Sequence, residues 1–355
     1  MRTALLLAPL ALLATPAAAS AQEAVGGPVS EGRAILVDIA MNGATPWVAY
    51  ADEASMGQIH VKRFDGSAWV EVGPVPSPAH AASHLDLQFE QNVPYVLFSA
   101  ADGYTLITWD GAEWSRVGAT NFGADLSTMD PTLAFTNNVP HVVYQDMRKQ
   151  RPDAYAHYEL DKIHIWGMVD AIGLLPDGSE QPAAVSDIGD DLYFAHHERG
   201  ASKLVVNKAV SDVEKLEPVG APYKSKHIAN FLGMRADGRQ LYLAYEDNGN
   251  AYQPTVLKLD DKRKKWKPLP ALPADAGVGT KELQWTEKLA FAWLVDDSKV
   301  MTARFDGAAW TKPVQIGAGT EMGIGIASNL DTTYVAYVDT ANGNRVAVKV
   351  IEPAE

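Results

Sequence analysis

The sequence predicts an all-β chain: seven four-stranded antiparallel sheets set in a ring, with the N-terminal strand completing the last sheet. Three observations carry this. A short apolar tetrad recurs seven times at steps of 44 to 52 residues, a period that belongs to sheet-forming arrays rather than helical repeats. A turn motif returns as Phe64-Asp65-Gly66-Ser67-Ala68-Trp69, Trp109-Asp110-Gly111-Ala112-Glu113-Trp114 and Phe305-Asp306-Gly307-Ala308-Ala309-Trp310. The two chain ends carry complementary halves of one repeat.

The tetrads read as second strands. They are Trp47-Val48-Ala49-Tyr50, Tyr95-Val96-Leu97-Phe98, His141-Val142-Val143-Tyr144, Tyr193-Phe194-Ala195-His196, Tyr242-Leu243-Ala244-Tyr245, Ala290-Phe291-Ala292-Trp293 and Tyr334-Val335-Ala336-Tyr337. Being apolar on consecutive residues, they suit strands covered on both faces. A helix is the competing reading of any short apolar run, and the flanks decide against it. Asn42-Gly43, Asn92, Asn137-Asn138, Asp190-Asp191 and Asp237-Gly238 precede the tetrads, and such residues accept the positive backbone angles of tight hairpins. The Asp-Gly of the turn motif joins third to fourth strands in the same way. Trp69, Trp114, Trp266 and Trp310 then start outer strands, where a large ring seals the gap between neighbouring sheets.

The last unit offers a first strand near 323–327, a second at 334–337 and a third at 345–350, and no fourth. Val25-Gly26-Gly27-Pro28 matches Val72-Gly73-Pro74-Val75 and Val219-Gly220-Ala221-Pro222, which follow outer strands. The first mature segment is therefore expected to supply the missing strand, and a closed ring leaves no exposed end sheets. The pattern resembles the seven-bladed β-propellers of secreted bacterial proteins over essentially all of the mature chain. The resemblance implies the fold alone. The chain lacks the Gly-His and Trp-Asp pairing of WD repeats, the Gly-Gly of kelch repeats and the S-x-D-x-G-x-x-W box of sialidases, so no catalytic residue is carried over from them.

Met1-Arg2, the apolar run from Ala4 to Leu13 and the small residues ending Ala19-Ser20-Ala21 form an export signal with cleavage expected after Ala21. This leaves 22–355 as one secreted or periplasmic domain, with no later segment expected to span a membrane. The chain has no cysteine, which excludes a thiolate metal site, a cysteine nucleophile and a lipobox anchor. A net charge of -14 opposes nucleic acid, which rewards clustered Lys and Arg. The one basic cluster, Lys262-Arg263-Lys264-Lys265 with Lys267, reads as a solvated hairpin tip.

A site is expected where first strands begin and second-to-third loops emerge, around the central channel. The residues at or before the first strands are Arg33, His84, Asp130, Gln181, His227, Lys281 and Glu321. Packing alone would not require a different polar residue in every repeat. The loops add Asp146, Arg148 and Arg199, with Tyr155 close by in the third unit. Such a rim suits sugar hydroxyls, a cation or a peptide. His196-His197 reads as structural, because adjacent strand residues point to opposite faces. Asp187-Ile188-Gly189-Asp190-Asp191 reads as a turn, and no metal or cofactor motif is present. Two functions follow. One is a non-catalytic binding or scaffold module holding a glycan or envelope protein on Arg33, His84, Asp130, Asp146, Arg148, Tyr155, His227, Lys281 and Glu321. The other is a uronate polysaccharide lyase with His84 or His227 as base, Tyr155 as acid, and Arg148 or Arg199 neutralising the substrate carboxylate.

Overall fold

The computed structural model describes residues 24–76, 82–100, 103–122, 131–146, 151–157, 167–169, 184–198, 201–210, 215–273, 283–296, 298–321, 323–329 and 332–351. They form a propeller-like arrangement of small antiparallel sheets, taken here as sheets one to seven in chain order. Sheet one is β1 (Ala34–Asn42), β2 (Thr45–Asp52), β3 (Gln58–Phe64) and β4 (Trp69–Glu71). Sheet two is β5 (His84–Glu90), β6 (Val93–Ala100), β7 (Gly103–Trp109) and β8 (Trp114–Phe122). Sheet three is β9 (Thr132–Thr136), β10 (Val139–Asp146), β11 (Arg151–His157) and β12 (Gly167–Val169). Sheet four is β13 (Ala184–Ile188), β14 (Asp191–Glu198), β15 (Lys203–Val210) and β16 (Lys215–Pro218), with the short β17 (Tyr223–Lys224) also paired to β15. Sheet five is β18 (Ile228–Asp237), β19 (Gln240–Asp247), β20 (Gln253–Asp260) and β21 (Lys265–Pro268). Sheet six is β22 (Leu283–Trp285), β23 (Ala290–Val295), β24 (Lys299–Arg304) and β25 (Val314–Ala318). Sheet seven is β26 (Ile324–Ser328), β27 (Thr333–Asp339) and β28 (Arg345–Ile351).

Every expected tetrad lies in a second strand. Val48, Ala49, Val96, Leu97, Leu243, Ala244, Phe291, Ala292, Val335 and Ala336 are fully buried, so both faces of these strands are covered. The cores lie between sheets rather than within them. Trp47, Ala49, Ile59 and Val61 of sheet one pack against Leu87, Val96, Phe98 and Ile107 of sheet two. Similar seams join sheets two and three, four and five, five and six, six and seven, and seven and one.

The turn motif is a local device. Oδ1 of Asp65 accepts the N–H groups of Ser67 and Ala68, that of Asp110 those of Ala112 and Glu113, and that of Asp306 those of Ala308 and Ala309. These bonds hold all three carboxyls below the usual carboxylate range. The glycine takes φ near +100° in each copy, a region open to few other residues. The tryptophan that follows ties its sheet to the one before. Nε1 of Trp114 donates to Val72 O at 2.5 Å, that of Trp310 to Pro270 O at 2.7 Å, and that of Trp69 to Val25 O at 2.9 Å. A Cβ on Gly73 would lie 2.5 Å from the Trp109 ring, and one on Gly26 would lie 2.5 Å from Phe64. The Val-Gly step therefore presents a carbonyl to one aromatic ring and leaves room for another.

Val25 thus stands toward sheet one as Val72 stands toward sheet two. The N-terminal segment also pairs with β28: Ala24 bridges Lys349, the Val25 N–H donates to Val348 O at 2.9 Å, and the Val29 N–H donates to Val346 O at 2.8 Å. The Ser30 hydroxyl accepts from the Val346 N–H. The N-terminal segment therefore lies beside β28 through one bridge and a few hydrogen bonds, while sheet seven itself has three strands. Residues 1–23, with the expected export signal, lie outside the described residues.

Candidate functional site

The first strands of all seven sheets line a single cavity of about 840 Å³. Strand register puts their side chains in levels. Opposite the third residue of each tetrad stand Asp38, Asp86, Thr132, Ala184, Gly233, Gln284 and Gly325, in sheet order. This level carries two charges, both negative and on neighbouring sheets, while the far wall is made of Ala184 and Gly233. Two residues further along each strand, opposite the first tetrad residue, stand Ala40, Gln88, Ala134, Ser186, Arg235 and Ala327 in sheets one to five and seven. Here the one charge is Arg235, across the channel from the acids. Glu287 and Asp187 follow towards the hairpins that join first and second strands.

Asp38 Oδ2 accepts the Leu87 N–H of the next sheet at 2.7 Å, and Gly325 presses on the Asp38 backbone from the other side. Burial raises Asp38 to about 7, helped by the Asp86 charge and opposed by the N–H groups of Leu87 and Ile39 and by Arg235. Burial likewise raises Asp86 to about 6, against the Gln88 amide and Arg235. The two titrate as a pair. Asp187 is raised to about 6 by burial although it accepts the Phe135 N–H from sheet three, and burial raises Glu287 too. These side chains keep partial exposure, but it is onto the cavity, so protein surrounds them while the channel face stays open.

Arg235 is pushed down by burial and drawn up by Asp86, Glu287 and Asp38. Its guanidinium lies 5.4 Å from the centre of the Trp285 ring, and Nη1 donates to Met234 O at 2.9 Å. No carboxylate among the described residues reaches it as a direct ion pair. His84 lines the same cavity; burial pushes its imidazole down to about 4, and its Nε2 is shut off from solvent without a hydrogen-bond partner. Among the described residues no group of three or more His, Asp and Glu side chains is placed to hold a metal ion.

Of the sequence-nominated residues that are described, His84 is the one in the cavity wall. Arg33 is exposed and ion-paired with Glu53. His227 lies outside the wall, its Nδ1 3.2 Å from Asn248 Oδ1. It does not share a pocket with His84, and the physical reason is two register shifts in β18 between Ile228 and Gly233, where β5 has none. Glu321 is exposed before β26 and also lies outside the wall. Asp146 ends β10 opposite Arg151, and Tyr155 pairs with Val143 and Val169 in β11; their side chains are not among those described. Asp130, Arg148, Gln181, Arg199 and Lys281 lie outside the described residues. His196 and His197 are both buried in β14, and Gly189 turns the β13–β14 hairpin with φ +61°. Sequence reasoning missed Asp38, Asp86, Asp187, Arg235 and Glu287. For Asp38, Asp86 and Arg235 the signal that finds them is the residue paired across from each tetrad; Asp187 and Glu287 lie beyond that register.

No protein-family model matches the chain, and no curated protein matches it. Solved structures do. A chain of the mitotic checkpoint complex is 12% identical, with a TM-score of 0.54 over 99% of this chain and 100% of its own. A prolyl endopeptidase is 12% identical, with a TM-score of 0.53 over 91% of this chain and 51% of its own, so this chain spans about half of it. A triple arginine-to-alanine mutant of AofleA from Arthrobotrys oligospora is 12% identical, with a TM-score of 0.50 over 92% of this chain and 85% of its own. At such identities the likeness shows the fold alone, a propeller-like arrangement of small antiparallel sheets.

Proposed function

We propose that the chain is an exported seven-bladed β-propeller, closed by its own N-terminal strand, that binds a glycan through its central cavity and the loops around it. The observation that carries this reading is the cavity. Its volume of about 840 Å³ falls within the several-hundred-Å³ range of small-ligand sites. Its wall joins carboxyls, a guanidinium, an imidazole and neutral hydrogen-bonding groups from different blades. A ring held by apolar seams needs no such set, and each buried charge in it costs stability.

The test is a glycan array probed with the purified mature chain, residues 22–355, beside the variant Asp86→Asn. Capture of a defined glycan that weakens in the variant supports the reading. Equal capture by both proteins moves the site off the channel, and an empty array with capture of an envelope protein instead favours the scaffold reading. Sequencing the N-terminus of protein recovered from the periplasm or medium tests export; it should begin at Gln22.

A second reading, the uronate lyase, draws on His84 and Arg235 sharing one wall. Arg235 would take the substrate carboxylate, while the His84 imidazole, pushed down by burial with Nε2 closed to solvent, would have to be uncovered by the bound substrate to serve as the base. Incubation with acidic polysaccharides should then raise the absorbance of new unsaturated ends. A flat trace across a panel retires it.

A further inference from the structure

The cavity is not electrically uniform, and its asymmetry says more than its size. Asp38 and Asp86 come from neighbouring blades at one level, while the blades across from them contribute Gly233 and Ala184. Two carboxyls from neighbouring strands therefore share one arc of the cavity wall, Asp38 accepting the Leu87 N–H and Asp86 the Gln88 amide. The counter-charge, Arg235, stands one level further along the far wall over Trp285 and makes no direct ion pair with them among the described residues.

A buried carboxylate pair of this kind is unfavourable in its ionised form. Each group loses hydration, and each repels the other. Two things relieve this: protonation, or a cation placed between them. A metal ion is a poor occupant, since no third ligating side chain among the described residues joins them. An ammonium group fits better, because its three donors can be shared among two carboxylates and a neighbouring acceptor. The chain's net charge of -14 also draws cations toward it at long range.

Resting on the glycan-binding reading, we propose that the Asp38–Asp86 pair receives the ammonium group of an amino sugar. A lysine side chain carries the same group, but the rest of the wall favours the sugar. Thr132, Ser186 and Arg235 line the cavity around the pair, and ring hydroxyls can serve such groups as both donors and acceptors where a methylene chain cannot. The titratable and charged groups facing the pair are His84 beside Asp86 on β5, Arg235 on β18, Asp187 on β13 and Glu287 after β22. The neighbouring β26 brings Ile324, Gly325 and Ile326, none of them titratable.

The experiment is isothermal titration of the full mature chain with a fully N-deacetylated glucosamine trisaccharide, its N-acetylated counterpart and a trilysine peptide, at pH 5.5 and 6.5. The expected result is binding of the deacetylated sugar at least tenfold tighter than of the acetylated one. Its affinity should rise severalfold from pH 5.5 to 6.5 as the pair ionises ahead of the loss of the sugar's own proton, and both features should be lost in Asp38→Asn and Asp86→Asn. Asp38→Asn keeps an acceptor for the Leu87 N–H, and Asp86→Asn serves should the first not fold. Equal, pH-independent binding of both sugars overturns the ammonium assignment and leaves glycan binding standing. Trilysine binding without either sugar overturns the choice of sugar. Silence from all three probes, together with an empty glycan array, removes both readings.

Discussion

Replacing Asp38 by Asn should stabilise the protein at pH 8 and leave it nearly unchanged at pH 4. The carboxyl ionises near 3.8 in the unfolded chain and is raised by burial to about 7 in the fold. A folded-state value above the unfolded one means that the native protein holds a proton the unfolded chain has released. Stability is therefore highest below pH 4 for this group, falls as pH rises from 4 to 7, and stays low above 7. A span of about three pH units at about 1.36 kcal/mol each sets a ceiling on the order of 4 kcal/mol. Removing the Asp38 charge also eases Asp86, so the two contributions are not separable by one substitution. Asn keeps an oxygen for the Leu87 N–H that Asp38 accepts at 2.7 Å, whereas Asp38→Leu orphans that donor and should cost about 1–3 kcal/mol. Guanidinium unfolding of wild type, Asp38→Asn and Asp38→Leu at pH 4 and pH 8 gives the comparison. An Asn variant no more stable than wild type at pH 8, with unchanged slope, refutes the burial argument.

Three further outcomes are expected from the outer strands. Trp114→Phe loses the Nε1–H bond to Val72 O and should lower the unfolding free energy by about 1 kcal/mol, read from the same denaturant curves. Gly73→Ala places a Cβ 2.5 Å from the Trp109 ring at φ +61°, while Gly66→Ala at φ +100° meets nothing within 4 Å; thermal melts should show the first substitution to be the more damaging. Deleting residues 22–30 uncovers the β28 edge that accepts at Val346 O and Val348 O, and bare edges pair with other chains. Size-exclusion chromatography should then show self-association that the intact chain lacks.

How much of this was legible in the sequence depends on how locally each feature is determined. Asp65, Asp110 and Asp306 shape their turns through bonds two and three residues ahead, so the motif alone specifies the conformation. The place of Val25-Gly26 was legible because it meets Phe64 and Trp69 as Val72-Gly73 meets Trp109 and Trp114. The cavity charges were not. Leu85-Asp86-Leu87-Gln88-Phe89 alternates like any half-solvated strand, and alternation cannot tell bulk water from a channel. Counting from strand starts also misaligned the blades: register shifts in β1 between Ala34 and Leu36 and in β18 beyond Ile228 break the offset. His84 and His227 appear equivalent by that count, yet one lines the channel and the other does not.

Three outer seams share one solution, a tryptophan donating to the preceding blade, although Trp266 Nε1 has no such partner, whereas the inner seams improvise. Asp38 accepts from the Leu87 N–H, Gln88 Nε2 donates to Leu133 O at 3.1 Å, and Trp285 Nε1 donates to Leu232 O at 3.3 Å. With cohesion carried by the apolar seams and the outer tryptophans, first-strand positions are free to differ from blade to blade, and a ligand site can be placed there. Asp38 then belongs to both tasks. Its ionised form serves a cationic ligand but weakens the empty fold, while its protonated form does the reverse. A bound ammonium removes that conflict, and the relief is contained in the affinity itself, so the rise in melting temperature caused by a deacetylated sugar at pH 5.5 and at pH 6.5 should follow its affinity at each pH through mass action alone. In Asp38→Asn the empty fold no longer carries the strain, and the same sugar should raise the melting temperature little at either pH. A ligand-induced rise of equal size in both proteins would place the relieved charge somewhere other than Asp38.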